Sequence, residues 1–490
     1  MANGILANPS GYQDIDGVLW GWCWQINQPN NHTLLTYSFP TSTASYLGYT
    51  AVNGFEAFNA KQQVAAIKVL RMVDNVSNVD FQYTADPTQA NIRMAEMTSI
   101  DVGTGPVAFA TAYGIAPDPN NAPAFAHGDT WFNHTSYNKP TLGSFAFASG
   151  IMHELGHALG LKHGHVPDDV LNANGQYAYS LPALSFDHDS LEYSVMTYRS
   201  YPGGDTDTVN AIEFPSTLMQ DDILALQWLY GSNYDCNSGN TVYRFDPKTG
   251  AMSIDGKSQG ATFHHKILLT IWDGGGNDTI DFSNYKSNAV IDLAPGAWST
   301  PWQKQLADLD IANPGVHLAR GCIANAQLFS GDDHGWIENG IGGRGNDSIS
   351  GNAVSNALLG NAGNDYLAGL GGMDALVGGK GTDIIFGGAD ADVFVFKAVK
   401  ESKAGAKHDT IADFSQFDDD LINLVRLDAN SHKGGIQHFT FIGELGFSHK
   451  AGQLRFADHL LQGDVNGDGK VDFEVYFNAD QIVADDLVLR

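Results

Sequence analysis

Residues 33–39 (Thr-Leu-Leu-Thr-Tyr-Ser-Phe) alternate between apolar and polar side chains and are rich in β-formers, which predicts a strand. Over residues 56–73, Val64, Ile67, Leu70 and Val73 share one helical face, with Lys61, Lys68 and Arg71 elsewhere. That spacing predicts a long amphipathic helix covering a sheet. Short apolar runs at residues 81–83, 91–94 and 130–132 read as further strands, and residues 107–112 as an edge strand. A helix follows from near Phe145, then a long polar loop after His163. Residues 221–230 carry Ile223, Leu226 and Leu229 on one face, and Gly231 ends that helix. The domain boundary is set there: an N-terminal segment over 1–32, a mixed α+β unit over 33–231, and an all-β unit over 232–490.

Beyond the boundary the period changes. Residues 232–340 alternate short apolar runs with glycine and asparagine, and from Gly342 the chain falls into six nine-residue units beginning at Gly342, Gly351, Gly360, Gly369, Gly378 and Gly387. Their sixth positions are Asp347, Asn356, Asp365, Asp374, Asp383 and Asp392; their eighth positions are Ile349, Leu358, Leu367, Leu376, Ile385 and Phe394. A tight glycine turn followed by a very short strand explains this period. The apolar positions stack into a thin core, and the aspartates offer hard oxygen ligands to calcium ions held between stacked turns. A flexible linker would not keep an apolar residue in register over all the units. Without calcium the carboxylates repel, so this region is expected to be unfolded in that state.

Composition agrees with two different units. The chain has 490 residues, too many for one ordinary core, and a net charge of -29 from 55 acidic and 26 basic residues. Such acidity argues against nucleic acid as a partner and fits either general solubility or calcium chelation, of which the repeats favour calcium. Three cysteines, Cys23, Cys236 and Cys322, cannot form a disulfide framework. The first residues lack a basic stretch and an apolar run of signal-peptide length, so export is expected to use no cleaved N-terminal signal. No segment is apolar over a membrane-spanning length. Within residues 1–32, which read as a packed element or propeptide remnant, Trp20-Gly21-Trp22-Cys23-Trp24 is an aromatic knot, and Cys23 is a candidate thiolate cap on a metal in a latent state. Residues 464–472 resemble the start of an EF-hand loop, but Val475 stands where the closing glutamate belongs; a surface turn is the competing reading.

The chemistry concentrates in His153-Glu154-Leu155-Gly156-His157-Ala158-Leu159-Gly160-Leu161-Lys162-His163. On a helix His153 and His157 project from one face. Gly160 can end that helix in a left-handed conformation, letting the chain turn and bring His163 round as a third ligand. Three imidazoles and an open position describe a catalytic zinc site. Glu154 is spaced to take a proton from a water on that metal.

The zinc helix with its glycine and third histidine, together with Ser194-Val195-Met196-Thr197-Tyr198 and the calcium repeats, resembles the serralysins, secreted bacterial zinc endopeptidases of the metzincin group. The resemblance implies a zincin-like α+β catalytic domain followed by a parallel β-roll. It implies zinc on His153, His157 and His163, Glu154 as general base, Met196 in a packing turn below the metal, and Tyr198 as a switchable fifth ligand that hydrogen-bonds the tetrahedral intermediate. It implies calcium at Asn237, Gly239 and Thr241 with Asp273, Gly275 and Asp278; at Gly276 and Asp278 with Trp336 and Glu338; and in the repeats at Gly343, Gly345, Asp347, Gly360, Ala362, Asp365, Asp374, Gly378, Asp383 and Asp392. Trp336 stands where the family often has threonine, and Asn356 replaces an aspartate, which weakens calcium there. The Asp-Leu-Val-Leu near the end is similar to tails read by type I secretion machinery. Partners implied are protein or peptide substrates, that machinery and a small proteinaceous inhibitor, for a monomer with no membrane partner. An extended peptide would pair with the edge strand near residues 108–112. The alternative reading is a calcium-dependent surface or adhesion protein with an inactive peptidase domain.

Overall fold

A computed structural model describes residues 3–490 apart from 29, 47, 102–105, 109–111, 121–123, 125 and 207–208. The long helix runs Ala60–Val76. Asn59 starts it: its side chain accepts from the N–H groups of Lys61 (2.9 Å) and Gln62 (3.2 Å), and the Gln62 side chain accepts from the Asn59 N–H (2.9 Å). Two of the helix's free donors are satisfied reciprocally. The buried face is rotated from the one expected. Ala65, Ala66, Val69, Leu70, Val73 and Val76 are buried, whereas Val64 is 68% exposed. The two alanines let the helix lie close on the sheet, so the small-residue stripe faces inward and Val64 with Ile67 is left on the flank.

Among the described residues the sheet beneath runs Val79–Tyr83, Thr33–Ser38, Ile92–Glu96, Asp129–Phe132, Ala112–Gly114. The first four strands are parallel and the last is antiparallel, at the edge. The single edge strand expected over 107–112 is two pieces: Pro106–Ala108 pairs in another small sheet with Ser99–Asp101, Ala112–Gly114 pairs with Asp129–Phe132, and residues 109–111 lie outside the described residues. The edge strand packs directly on the histidine helix. A Cβ at Gly114 would stand 2.3 Å from the Glu154 carbonyl oxygen, so only glycine allows that approach.

The expected polar loop after His163 contains a hairpin, Asp168–Leu171 with Tyr177–Leu181. The segment before the first sheet strand contributes to the same core. Gly4–Leu6 pairs with Trp22–Trp24, and Val18, Leu19, Trp22 and Trp24 are buried with the histidine helix.

Among the described residues the C-terminal part has two facing sheets, of ten and nine strands, and a three-stranded sheet of Leu269–Ile271, Ile323–Asn325 and Trp298–Ser299. Successive repeats alternate between them: Ala357–Ala362 and Ala375–Lys380 pair in one, Ser348–Asn352, Tyr366–Gly371 and Ile384–Ala389 in the other, all parallel. The eighth-position residues Ile349, Leu358, Leu367, Leu376, Ile385 and Phe394 are all buried between the sheets. Residues 464–472 are no EF-hand; they link antiparallel strands Leu460–Asp464 and Phe473–Phe477, with no flanking helices. Leu487–Val488 joins the larger sheet beside Leu421–Asn423. The first core crosses the chain boundary, because Leu268, Trp272, Leu309 and Ala319 pack into it.

Candidate metal centre

A π-helical stretch, Ala146–Met152, feeds the short α-helix His153–Ala158. The C-terminal carbonyls of a helix lack intrahelical partners. At and just past this end three carbonyls have donors from elsewhere: the Trp24 indole donates to Ala158 (2.8 Å), the Tyr230 hydroxyl to Leu159 (2.6 Å) and the Trp20 N–H to Gly160 (2.8 Å). Gly160 takes φ +98°, as its position in the motif predicts, and the chain turns back. Lys162, buried, then fixes the turn by donating to the carbonyls of Gly17 (2.6 Å), Val166 (2.7 Å) and Pro182 (2.9 Å).

The turn brings His163 to the other two histidines. Ring nitrogens of His153, His157 and His163 lie within 4.8 Å of one another. Nδ1 of His153 donates to the Val195 carbonyl (2.8 Å) and Nδ1 of His157 to that of Leu161 (2.7 Å), which aims both Nε2 lone pairs inward. Nε2 of His157 is 3.1 Å from Nε2 of His163, and Nε2 of His153 is buried with no partner. The His157 Nε2 is an acceptor, because its Nδ1 carries the proton, and the His153 Nε2 is an acceptor with nothing to accept from. Ligands of a tetrahedral zinc stand about 3.3 Å apart, so these donors fit that ion. Burial holds all three imidazoles in the neutral, ligating form: it lowers His153 to about 4, His157 to about 3, and His163 further still.

Glu154 is buried beside them. Burial raises its carboxyl to about 8, opposed by a backbone hydrogen bond from Gly114. Below the cluster Met196 is fully buried, and its Sδ would lie 2.5 Å from a Cβ at Gly156, which explains that glycine. The Tyr198 ring is 4.5 Å from that of His163 and 5.7 Å from that of His153; burial and the Glu154 charge raise its phenol to about 12. Cys23 takes no part. It lies outside the nitrogen cluster, and burial raises its thiol to about 12.

Three contributors escaped the sequence reading. His165 stacks between His163 (5.4 Å) and Tyr198 (4.8 Å) and accepts the Tyr198 N–H (3.3 Å). Trp20 meets His157 edge-on at 5.4 Å. Asp222, fully buried, accepts from the Ser194 hydroxyl (2.6 Å) and the N–H groups of Val195 and Met219 (2.9 Å each), so it holds the turn that carries the Val195 carbonyl and Met196. Only the adjacent His163-Gly164-His165 spacing could have signalled one of them.

The acidic turns gather as well. Asp278 accepts the Thr241 N–H (2.7 Å) and leaves its other oxygen buried without a partner, while the Glu338 carboxylate accepts the Asp278 N–H (2.6 Å). Asp273 accepts from the Gly275 N–H (2.8 Å) and the Tyr243 hydroxyl (2.6 Å), and the Thr241 hydroxyl donates to the carbonyls of Asn237 (3.2 Å) and Gly239 (2.9 Å). A Cβ at Gly276 would stand 2.5 Å from the Gly239 oxygen. Trp336 is half-buried in the turn before Glu338.

In the repeats the pattern is regular. One oxygen of Asp365, Asp374, Asp383 and Asp392 accepts the N–H of the residue 18 positions earlier, and the other is buried and unpartnered. Cβ atoms at Gly360 and Gly378 would stand 2.4 Å from the free oxygens of Asp365 and Asp383. Burial raises Asp365 to about 8, Asp374 and Asp392 to about 7, and Asp383 to about 6. Asp409 extends the ladder past the last repeat, accepting the Asp383 N–H (2.8 Å) with its other oxygen unpartnered. Two sixth positions differ. Asp347 uses both oxygens, on the N–H groups of Ala289 and Gly343, and Asn356 interlocks with Asn352 through two amide hydrogen bonds (2.7 and 3.0 Å). Gly343 and Gly345 press on the 285–288 turn, and Ala362 pairs with Lys380.

Comparison with known proteins adds the following. The family described as Peptidase M10 serralysin C terminal matches residues 232–489, and the matrixin family matches residues 29–192. The chain is similar to metallopeptidase AprA of Pseudomonas marginalis, 33% identical over 482 residues, covering 97% of this chain and 87% of that one. It is similar to a serralysin of Photorhabdus luminescens, 34% identical over 434 residues (87% and 78%), and to serralysin G of Dickeya chrysanthemi, 30% identical over 342 residues (66% and 60%).

Proposed function

The chain belongs to the serralysin family of metalloendopeptidases, and we propose that it is a secreted zinc enzyme that cleaves extracellular proteins, with His153, His157 and His163 as ligands and Glu154 as general base. The observation that carries this reading is the unpartnered, buried Nε2 of His153, clustered with ring nitrogens of His157 and His163, with the tautomers of His153 and His157 fixed so that both Nε2 atoms can ligate.

Zinc, when bound, supplies a Lewis acid that polarises the scissile carbonyl and makes a water more acidic. The protein's own groups do the rest. An extended peptide adds to the free edge of Ala112–Gly114. Glu154, close to neutral pH in its affinity for a proton, accepts one from the attacking water and returns it to the leaving amine. The Tyr198 phenol, which stays protonated, donates to the developing oxyanion. Trp20, His165 and Asp222 position the groups that do this.

For calcium, the support is the row of buried, unpartnered aspartate oxygens beside glycine turns. These residues would hold calcium ions through Asp278, Asp365, Asp374, Asp383, Asp392 and Asp409. The same chemistry fits export: in low calcium the roll stays unfolded and its tail accessible to type I machinery, and outside the cell calcium folds it.

The test is casein hydrolysis in calcium by the intact protein, its Glu154→Gln variant and a zinc-stripped sample. Activity lost in both controls and restored by zinc supports the proposal. A folded, zinc-loaded protein with no turnover on any protein substrate would return the chain to the adhesion reading.

A further inference from the structure

We propose that the cavity between the Ala60–Val76 helix and the first strands of the C-terminal part binds a long-chain fatty carboxylate, its tail in the cavity and its head on Lys68 and Arg71. The cavity holds about 600 Å³, and a second of about 380 Å³ adjoins it through shared walls at Val64, Lys68 and Leu142. Together they fall in the range of small-molecule sites, ~300–1,000 Å³, and are too small to take a folded partner. The helix flank that the sheet does not use, Val64 and Ile67, forms one wall, and Met252, Ile254 and Trp272 form another.

Two observations select the occupant. The first is that several hydroxyls and amides of the wall are already engaged. Ser216 donates to Leu268 (3.2 Å), Thr217 to Leu218 (2.9 Å), Thr262 to Thr249 (3.4 Å), and Asn237 to Tyr243 (3.0 Å). A polar ligand would find few directional partners inside, whereas an alkyl tail needs none. The second is charge. In a chain with 55 acidic and 26 basic residues, no residue lining either cavity is Asp or Glu, while Lys61, Lys68 and Arg71 line them. Lys68 spends one donor on the Gln259 carbonyl, and neither it nor Arg71 forms an ion pair among the described residues. A basic rim over an apolar interior matches an anionic amphiphile.

The experiment is displacement of a fluorescent fatty acid from the intact, calcium-loaded protein. Myristate is expected to bind saturably, one per chain, with affinity rising about tenfold for each two methylenes added between octanoate and myristate. Tetradecanol is expected to bind at least tenfold more weakly. Lys68→Glu is expected to weaken myristate about tenfold. Ile67→Trp fills the cavity and is expected to abolish binding, with casein hydrolysis unchanged in both variants. Met252→Trp, from the opposite wall, serves where Ile67→Trp fails to fold. The proposal is overturned by absence of saturable binding, by tetradecanol binding as tightly as myristate, by displacement through an apolar peptide rather than the carboxylate, or by a folded cavity-filled variant that still binds.

Discussion

The histidine centre and the aspartate turns are both shaped for metal ions, but they stand differently without them. Around the histidines the protein supplies nearly every hydrogen bond: Val195 and Leu161 orient two rings, Asp222 holds the turn, and three donors cap the helix end. The imidazoles are neutral there, so nothing repels. Along the roll, by contrast, each of four successive repeat aspartates keeps one buried oxygen unpartnered. Buried carboxylates without partners are costly. On the proposed function, the first site is held by the fold and would use its metal for chemistry, whereas the second would need its metal to fold.

The sharpest break in that comparison is catalytic. Glu154→Gln is expected to lower casein turnover by roughly 10²–10⁴-fold with zinc content and circular dichroism unchanged; retained turnover would remove Glu154 as the base. Removing metals separates the two regions next. Stripping zinc at constant calcium should abolish activity and leave the β signal intact, whereas stripping calcium should collapse that signal; an unchanged spectrum without calcium would end the distinction. Protons sharpen it further. Asp365 and Asp409 are raised to about 8 by burial, above the roughly 3.9 of an unfolded chain. In the calcium-free roll their stabilising contribution is therefore complete below about pH 4 and lost as pH rises to 8. Calcium-free protein should regain β signal on acidification, and a monotonic loss would contradict this.

Smaller effects test single residues. Asp222→Ala leaves the Ser194 hydroxyl and two buried N–H groups unpartnered and should cost about 3 kcal/mol in urea unfolding, with a lower kcat because the Val195 carbonyl no longer fixes His153. Asn356→Asp exchanges an amide that satisfies itself for a carboxylate. It should destabilise the roll by about 1 kcal/mol in low calcium and be nearly neutral in high calcium, read as a steeper calcium dependence of melting.

Legibility in the sequence followed range. The histidine motif was readable because its ligands lie within one helix and one turn, and the repeats because register repeats identically. Gly160 and Gly231 both take positive φ, +98° and +83°, where the pattern ended a helix. The amphipathic helix was readable as a helix but not in its orientation, because Ala65 and Ala66 are too small to weigh in a hydrophobic count and yet allow the closest approach. The hairpin within residues 168–181 gives no strand signal in the sequence because Asp168–Leu171 opens on two exposed aspartates and buries only Val170. Cys23 reads as a candidate metal cap because thiolates bind zinc well, a property of the side chain that says nothing of its distance to His153.

The sequence by itself determined the local chemistry: which residues can ligate, which can turn, and which period each half of the chain follows. Those properties depend on side-chain type and spacing along a few residues. Only the tertiary structure decided what depends on distant partners. Trp20 and Trp24 cap the histidine helix, Asp222 holds a turn 27 residues before it, Asp409 continues a ladder across a break in the repeat, and an apolar helix flank is left over a cavity. Each arises because buried polar groups must find partners wherever the chain's packing happens to bring them.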